Sequence, residues 1–217
     1  MAPAAQSSDE AIVLLHGLWM HGLAMEPLAW RLRQHYGFQV HVYDYPSVGQ
    51  GIAPNSRQLA EFLRQIPTRK LHLVGHSLGG VLALKTLARM TAAPPGRVVC
   101  IGSPLVGSGV AAELARWTGG KAMLGKTIRE SVLESPLSVY EGDREVGVIA
   151  GDLGFGIGVV TQAIAAPHDG TVSVSETQLP GITDHVVLPV THTAMLLSRK
   201  VADQAVYFIR HGKFRRT

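Results

Sequence analysis

The chain is predicted to fold as an α/β domain, with a mainly parallel sheet of about six strands and helices on both faces. Short apolar runs alternate with longer segments of helical periodicity, which is typical of this class. Of the 217 residues, 46% are hydrophobic and 17% charged, which favours a well-buried core over disorder. The length fits one domain, predicted over residues 11–217 behind a flexible segment, residues 1–10.

The strands are predicted from six short runs that are mostly apolar without alternation, as expected where helices cover both faces of a sheet. Pro189 lacks a backbone donor, which favours an edge position for the last strand. In chain order the predicted strands are residues 11–15, 38–43, 71–74, 98–101, 146–150 and 186–190.

The helices are predicted between these runs. Residues 56–66 carry apolar side chains at helical spacing on one face, and residues 78–91 are apolar almost all round, which indicates a helix buried against the sheet. Alternating strands and helices imply right-handed crossovers and a parallel sheet. The other helical patterns cover residues 22–36 and 193–210.

Two stretches fit neither pattern, residues 107–143 and the glycine-rich residues 151–170. Both are predicted to be long excursions at the carboxyl edge of the sheet, where ligand sites form in open α/β sheets. The first is a candidate for a small cap or lid.

Charge limits the possible partners, and cysteine content limits the possible disulfides. The net charge is +4, spread along the chain except for a basic tail at residues 210–216. The tail is predicted to be a solvated end, with weak contact to an anionic membrane surface as the alternative. No basic stripe is interleaved with aromatics, which argues against a nucleic-acid partner. Cys100 is the single cysteine, so we expect no internal disulfide and a small buried hydrophobe there.

The N-terminal residues lack the basic start and apolar core of a signal peptide. No run reaches the roughly 18 apolar residues that a membrane-spanning helix needs. A cytoplasmic location is therefore expected. The oligomeric state is left open.

The strongest motif is Gly75-His76-Ser77-Leu78-Gly79-Gly80, which stands between a predicted strand and a predicted helix. A serine hydroxyl is a weak nucleophile, so the chemistry needs it on a sharp turn that a base can reach. That turn is crowded, which requires small residues at positions 75 and 79. Ser77 is thus predicted to be a nucleophile, and the Leu78 N–H at the helix start to stabilise a developing oxyanion.

This motif resembles the nucleophile elbow of α/β-hydrolase lipases and esterases. Leu14-Leu15-His16-Gly17-Leu18-Trp19 resembles the end of that family's oxyanion strand. The resemblance covers roughly residues 11–210 and implies a minimal α/β-hydrolase fold that lacks the usual first two antiparallel strands. It also implies that the Leu18 N–H is the second oxyanion donor. His16 is predicted to brace this loop rather than to catalyse.

The family order is nucleophile, acid, histidine, which implies a base near the C-terminus. His192 follows the last predicted strand and precedes a helix, with Thr193 as a candidate cap. This is the position where the family has its histidine, so His192 is the predicted base. The other candidates are His168, His185 and His211.

Asp169 is the predicted acid, because Asp169-Gly170-Thr171-Val172 resembles the Asp-Gly-x-Val segment that carries the acid in many lipases. A carboxylate is needed to fix the tautomer of the imidazole and to stabilise the imidazolium. Asp152, directly after the fifth strand, stays an open alternative. Asp184 and Asp143 are weaker ones.

Together these residues predict cleavage of carboxylic esters through an acyl-enzyme on Ser77. The expected substrate is a small-molecule or lipid ester with an apolar acyl chain, and Trp19 and Met20 are candidate residues of its pocket. No metal and no organic cofactor is implied. The alternatives are a thioesterase or acyltransferase with the same triad, and a binding protein of the hydrolase fold without turnover.

Overall fold

A computed structural model describes residues 9–90, 92–154 and 164–216. Six strands form one sheet in the order β2-β1-β3-β4-β5-β6, and every neighbouring pair is parallel. The predicted six-stranded, mainly parallel sheet is therefore confirmed. The strands are β1 (Glu10–Leu15), β2 (Gln39–Tyr43), β3 (Lys70–His76), β4 (Val98–Ile101), β5 (Val146–Gly151) and β6 (Asp184–Leu188).

Six α-helices lie in the described part of the chain: α1 (Glu26–Tyr36), α2 (Ile52–Arg64), α3 (Leu78–Leu87), α4 (Gly109–Arg116), α5 (Gly120–Ile128) and α6 (Arg199–His211). Short 3-10 turns cover Gly22–Met25, Ser175–Thr177 and Thr193–Leu196, and a π-helical turn covers Arg129–Leu133.

The prediction of one long helix over residues 193–210, capped by Thr193, is wrong. Thr193 begins a separate 3-10 turn, and α6 starts only at Arg199. The hydroxyl of Ser198 accepts the N–H of Val201 at 3.3 Å, so Ser198 is the residue that caps the helix.

Helices cover both faces of the sheet, as predicted. Alternate side chains of β1 show the division, because Val13 and Leu15 join the core beneath α2 and α3 while Ile12 and Leu14 join the core beneath α1 and α6. All four side chains are fully buried. Nearly every residue of α3 is buried as well, which agrees with its apolar sequence.

The edge position predicted for the last strand is confirmed, because β6 has β5 as its neighbour on one side and ends the sheet on the other. The basic tail covers part of this edge. Phe214 packs on Phe208 with 4.9 Å between ring centroids, and the Arg216 guanidinium bonds to the carboxylate of Asp184 and the carbonyl of His185. Phe214 and Arg216 therefore hold the tail against α6 and β6, so the tail is not simply solvated.

The excursion after β4 holds α4, α5 and the π-helical turn, and it packs onto the connection between β2 and α2. The Asn55 amide donates to the hydroxyl of Thr127 at 3.0 Å, and the Lys126 N–H donates to the Val48 carbonyl at 3.0 Å. Both segments lie beyond the carboxyl ends of their strands, so the excursion borders the edge where a ligand site is expected.

Two predicted segments fall partly outside the described residues: residues 1–8 of the predicted flexible segment, and residues 155–163 of the glycine-rich excursion. Within the described ranges, no helix has both the length and the apolar character that crossing a bilayer requires.

Candidate active site

Ser77 stands on a sharp turn between β3 and α3. Its backbone has φ 53° and ψ −122°, a left-handed conformation that is strained for a residue other than glycine. The Ser77 N–H donates to the Ile101 carbonyl at 2.8 Å, which ties the turn to β4. A Cβ on Gly75 would overlap the backbone of Gly80, and one on Gly79 would overlap the Leu15 carbonyl. The crowding expected at positions 75 and 79 is therefore present.

The loop after β1 lies against this turn. A Cβ built on Gly17 would stand 3.1 Å from the Cβ of Ser77, so the Gly17 backbone lies close to the Ser77 side chain. The predicted oxyanion donors, Leu18 and Leu78, each follow one of these two neighbouring residues. Leu78 is also the first residue of α3, where N–H groups have no partner inside the helix.

His16 is fully buried beneath the loop that carries Leu18. Its Nδ1 lies 2.8 Å from the Gly17 carbonyl and its Nε2 lies 2.9 Å from a carboxylate oxygen of Asp44. The ring of Tyr45 stacks on the His16 ring at 4.3 Å, and the Tyr45 hydroxyl donates to the His16 carbonyl at 2.8 Å. These are the contacts expected of a bracing residue.

His192 and Asp169 are brought together. The Nδ1–H of His192 donates to Oδ2 of Asp169 at 2.7 Å, and the His192 N–H donates to the Asp169 carbonyl at 2.9 Å. The N–H groups of Thr171 and Val172 donate to the other carboxylate oxygen at 2.9 and 2.7 Å. The carboxylate is thus buried with its acceptors filled, and the imidazole is held in the tautomer that leaves Nε2 able to accept a proton.

A glycine at the end of β4 makes room for this pair. Gly102 has φ +56°, and a Cβ there would stand 3.1 Å from Nδ1 of His192 and 3.2 Å from Oδ2 of Asp169. Because the Ser77 N–H bonds to the neighbouring Ile101, the end of β4 joins the serine turn to the histidine–aspartate pair.

The other candidate acids have different surroundings. Asp152 follows β5 directly and is exposed, with its N–H bonded to the Leu188 carbonyl. Asp184 accepts the Phe214 N–H at 2.7 Å and pairs with Arg216. The structure therefore favours Asp169 as the partner of the histidine.

The other candidate histidines also have other contacts. Nδ1 of His168 accepts the Gly170 N–H at 3.1 Å, and Nε2 of His185 lies 2.8 Å from the Thr177 hydroxyl. His211 is exposed at the end of α6.

His76, to which sequence reasoning gave no role, lies next to the site. Its ring centroid lies 4.7 Å from that of His192, and its Nε2–H donates to the His192 carbonyl at 3.1 Å. Burial lowers the pKa of His76 to about 3, so the ring stays neutral. Its place beside Ser77 in the motif was the signal that could have drawn attention to it.

Trp19 and Met20 line a cleft of about 470 Å³ next to the loop after β1 that contains Gly17 (the Gly17 loop). Tyr45, Pro46 and Val48 also line this cleft. A larger cleft of about 1110 Å³ is lined by residues such as Lys70 and Arg97. The larger one lies at the amino ends of the strands, away from Ser77. Because Trp19 and Met20 follow Leu18 in the loop after β1, the smaller cleft is a candidate for binding a substrate.

A model of the alpha/beta hydrolase family matches residues 12–137, more than half of the chain. The chain belongs to the alpha/beta hydrolase family. The matched range contains both the loop after β1 and the Ser77 turn, so the resemblance drawn from these two segments is confirmed. Asp169 and His192 of this alpha/beta hydrolase lie beyond the matched range.

Solved structures resemble this hydrolase over nearly its whole length. A lipase-esterase related protein from Clostridium acetobutylicum is 13% identical, with a TM-score of 0.62 over 94% of this chain and 96% of that one. The type II thioesterase BorB from the borrelidin biosynthetic cluster is 16% identical, with a TM-score of 0.61 over 94% and 92%. At these identities the similarity shows the fold alone, and it confirms the predicted α/β-hydrolase fold.

A curated relative is similar over a shorter range. The pimeloyl-[acyl-carrier protein] methyl ester esterase of Aeromonas salmonicida is 36% identical over 77 residues, which is 33% of this chain. The match spans 30% of that relative's length.

Proposed function

We propose that this alpha/beta hydrolase cleaves carboxylic esters, with Ser77 as nucleophile, His192 as general base and Asp169 as the carboxylate that orients the base. The observation that carries the proposal is the 2.7 Å hydrogen bond between His192 and Asp169, a pair that the end of β4 joins to a serine held at φ 53° on a strand-to-helix turn. Family membership and the esterase among the curated relatives support the same reaction class.

In the proposed reaction, Nε2 of His192 takes the hydroxyl proton as Oγ of Ser77 attacks the acyl carbonyl carbon. The N–H groups of Leu18 and Leu78 stabilise the negative charge on the carbonyl oxygen. The C–O bond to the alcohol then breaks, and His192 gives its proton to the leaving oxygen. Water, deprotonated by His192, attacks the acyl-enzyme, and the acid leaves as Ser77 regains its proton.

The substrate we propose is a small-molecule or lipid ester with an apolar acyl chain. The support is the mostly apolar cleft beside the Gly17 loop, to which Trp19, Met20 and Val48 contribute. Burying an acyl methylene group against apolar side chains favours binding by about 0.8 kcal/mol for each group. A thioester with the same acyl group would meet the same cleft and the same nucleophile.

The test is covalent labelling of Ser77 with a fluorophosphonate, together with turnover of p-nitrophenyl esters of increasing chain length. We expect wild type to be labelled and active, and Ser77→Ala to lose both properties, because no other group would replace the attacking hydroxyl. Ser135→Ala is the matched control, since Ser135 is exposed and far along the chain from the turn. Labelling and turnover retained by Ser77→Ala would contradict the proposal.

A parallel series of acyl thioesters distinguishes the alternatives. Higher kcat/KM on oxyesters than on thioesters of equal chain length supports the esterase. The reverse order would make the protein a thioesterase that uses the same residues.

A further inference from the structure

In the described part of the chain, two residues other than glycine have a positive φ. One is Ser77 and the other is Trp19, whose φ is 58°. It follows Leu18 in a turn that the Met20 N–H closes onto the Gly17 carbonyl at 3.4 Å. Left-handed backbone at a bulky residue costs on the order of 1 kcal/mol and persists only where the surroundings hold it. Trp19 therefore needs a contact that keeps this turn in place.

The indole of Trp19 supplies that contact. Although 51% of the residue is exposed, its Nε1–H donates to the carbonyl of Met123 at 2.9 Å, across 104 positions of the chain. The tryptophan side chain has one hydrogen-bond donor, and this bond uses it. The turn that carries Leu18 is thereby tied to α5.

The acceptor is itself held in place by a break in α5. Gly125 has φ 76° and ψ −178°, and the Lys126 N–H donates to the Val48 carbonyl at 3.0 Å rather than back along the helix. The hydroxyl of Thr127 donates to the carbonyl of Gln50 at 2.7 Å. The turn that contains Met123 is thus fixed to the segment after β2.

We propose that Trp19 is a positioning residue: its bond to Met123 holds the turn of residues 17–20, and with it the Leu18 N–H, in the orientation that stabilises the oxyanion. The proposal rests on the proposed function of Ser77 and Leu18. It also gives the β4–β5 excursion a part in the reaction, because α5 carries the acceptor. Since the bond supports an N–H that acts on charge formed during the reaction, its loss is expected to lower kcat more than it raises KM.

The test compares Trp19→Phe with Trp117→Phe on the p-nitrophenyl ester that wild type turns over best. Trp19→Phe keeps an aromatic ring and removes the N–H donor. Trp117 is the control residue, because it is also 51% exposed and lies between α4 and α5, outside the turn of residues 17–20. Active-site titration with a fluorophosphonate corrects kcat for the folded fraction, so partial unfolding does not enter the comparison.

For Trp19→Phe we expect kcat to fall roughly tenfold, less than for the direct loss of an oxyanion donor, with KM changed by less than about twofold. The affinity for a trifluoromethyl ketone, which forms a tetrahedral oxyanion on the serine, is expected to fall in parallel with kcat/KM. Trp117→Phe is expected to leave all three quantities unchanged.

Unchanged kcat and inhibitor affinity in Trp19→Phe, or a loss confined to KM, would overturn the inference; the latter result would show that the bond to Met123 affects only substrate binding in the cleft that Trp19 lines. An equal loss in Trp117→Phe would overturn it too. Ser77→Ala separates this failure from that of the proposed function. An inert Ser77→Ala beside a fully active Trp19→Phe refutes only the role of Trp19.

Discussion

At the scale of single residues, several glycines of the site have no room for a Cβ. A Cβ would press on the serine turn at Gly17 and Gly75, on the end of β1 at Gly79, and on the histidine–aspartate pair at Gly102. Sequence alone could indicate the glycines of the motif, because a sharp strand-to-helix turn needs them locally. Gly102 could not be recognised in this way, since its neighbours Asp169 and His192 come from distant segments.

The identity of the acid is the first prediction at this scale. Asp169→Asn keeps the shape of the side chain but can hold the imidazole in the wrong tautomer, so we expect kcat for ester hydrolysis to fall by a factor on the order of 10³ to 10⁴. Asp152→Asn is the matched control and is expected to keep wild-type kcat, because Asp152 is exposed. If only Asp152→Asn lost activity, Asp152 would be the acid.

At the scale of elements, the excursion after β4 matters because it is joined to the connection between β2 and α2 by polar contacts. The hydroxyl of Thr127 both accepts from the Asn55 amide at 3.0 Å and donates to the Gln50 carbonyl at 2.7 Å, and Asn55 and Thr127 are fully buried. Buried polar groups that lose their partners are costly. This pair therefore anchors α5 where Trp19 can reach Met123.

A substitution at Thr127 tests this anchoring. Thr127→Val keeps the volume but removes the hydroxyl, and we expect the free energy of unfolding to fall by about 1 to 3 kcal/mol, because the buried Asn55 amide and the half-buried Gln50 lose a partner. Urea unfolding followed by circular dichroism measures the change. Thr127→Ser keeps the hydroxyl and is expected to retain more stability than Thr127→Val. Equal stability of the two variants would show that the hydroxyl does not anchor α5.

At the scale of the whole molecule, two buried histidines make stability depend on pH. Burial lowers the pKa of His72 to about 4 and that of His76 to about 3. The unfolded chain has the ordinary histidine pKa near 6.5, so below that pH it binds more protons than the folded protein. The free energy of unfolding is therefore expected to fall as the pH decreases from about 6.5 towards 4.

A variant of His72 isolates this effect from the carboxylates, because the rest of the titrating groups stay the same. Each such histidine contributes at most about 1.4 kcal/mol for each pH unit. We expect His72→Gln to lose stability less steeply than wild type between about pH 6 and pH 4.5, as measured by urea unfolding at several pH values. Parallel pH profiles for the two proteins would mean that folding does not lower the pKa of His72.

The sequence by itself determined the features that depend on neighbouring residues: the six strands, the Ser77 turn with its glycines, and the loop of His16 and Gly17. Local sterics and apolar patterning are sufficient for these, since each is complete within a short segment. Only the tertiary structure decided which aspartate meets His192, that Phe214 and Arg216 dock on the sheet, and that Trp19 bonds to Met123. Those contacts join residues far apart in the chain, and they form only when the packing of the helices on the sheet has fixed where each loop lies.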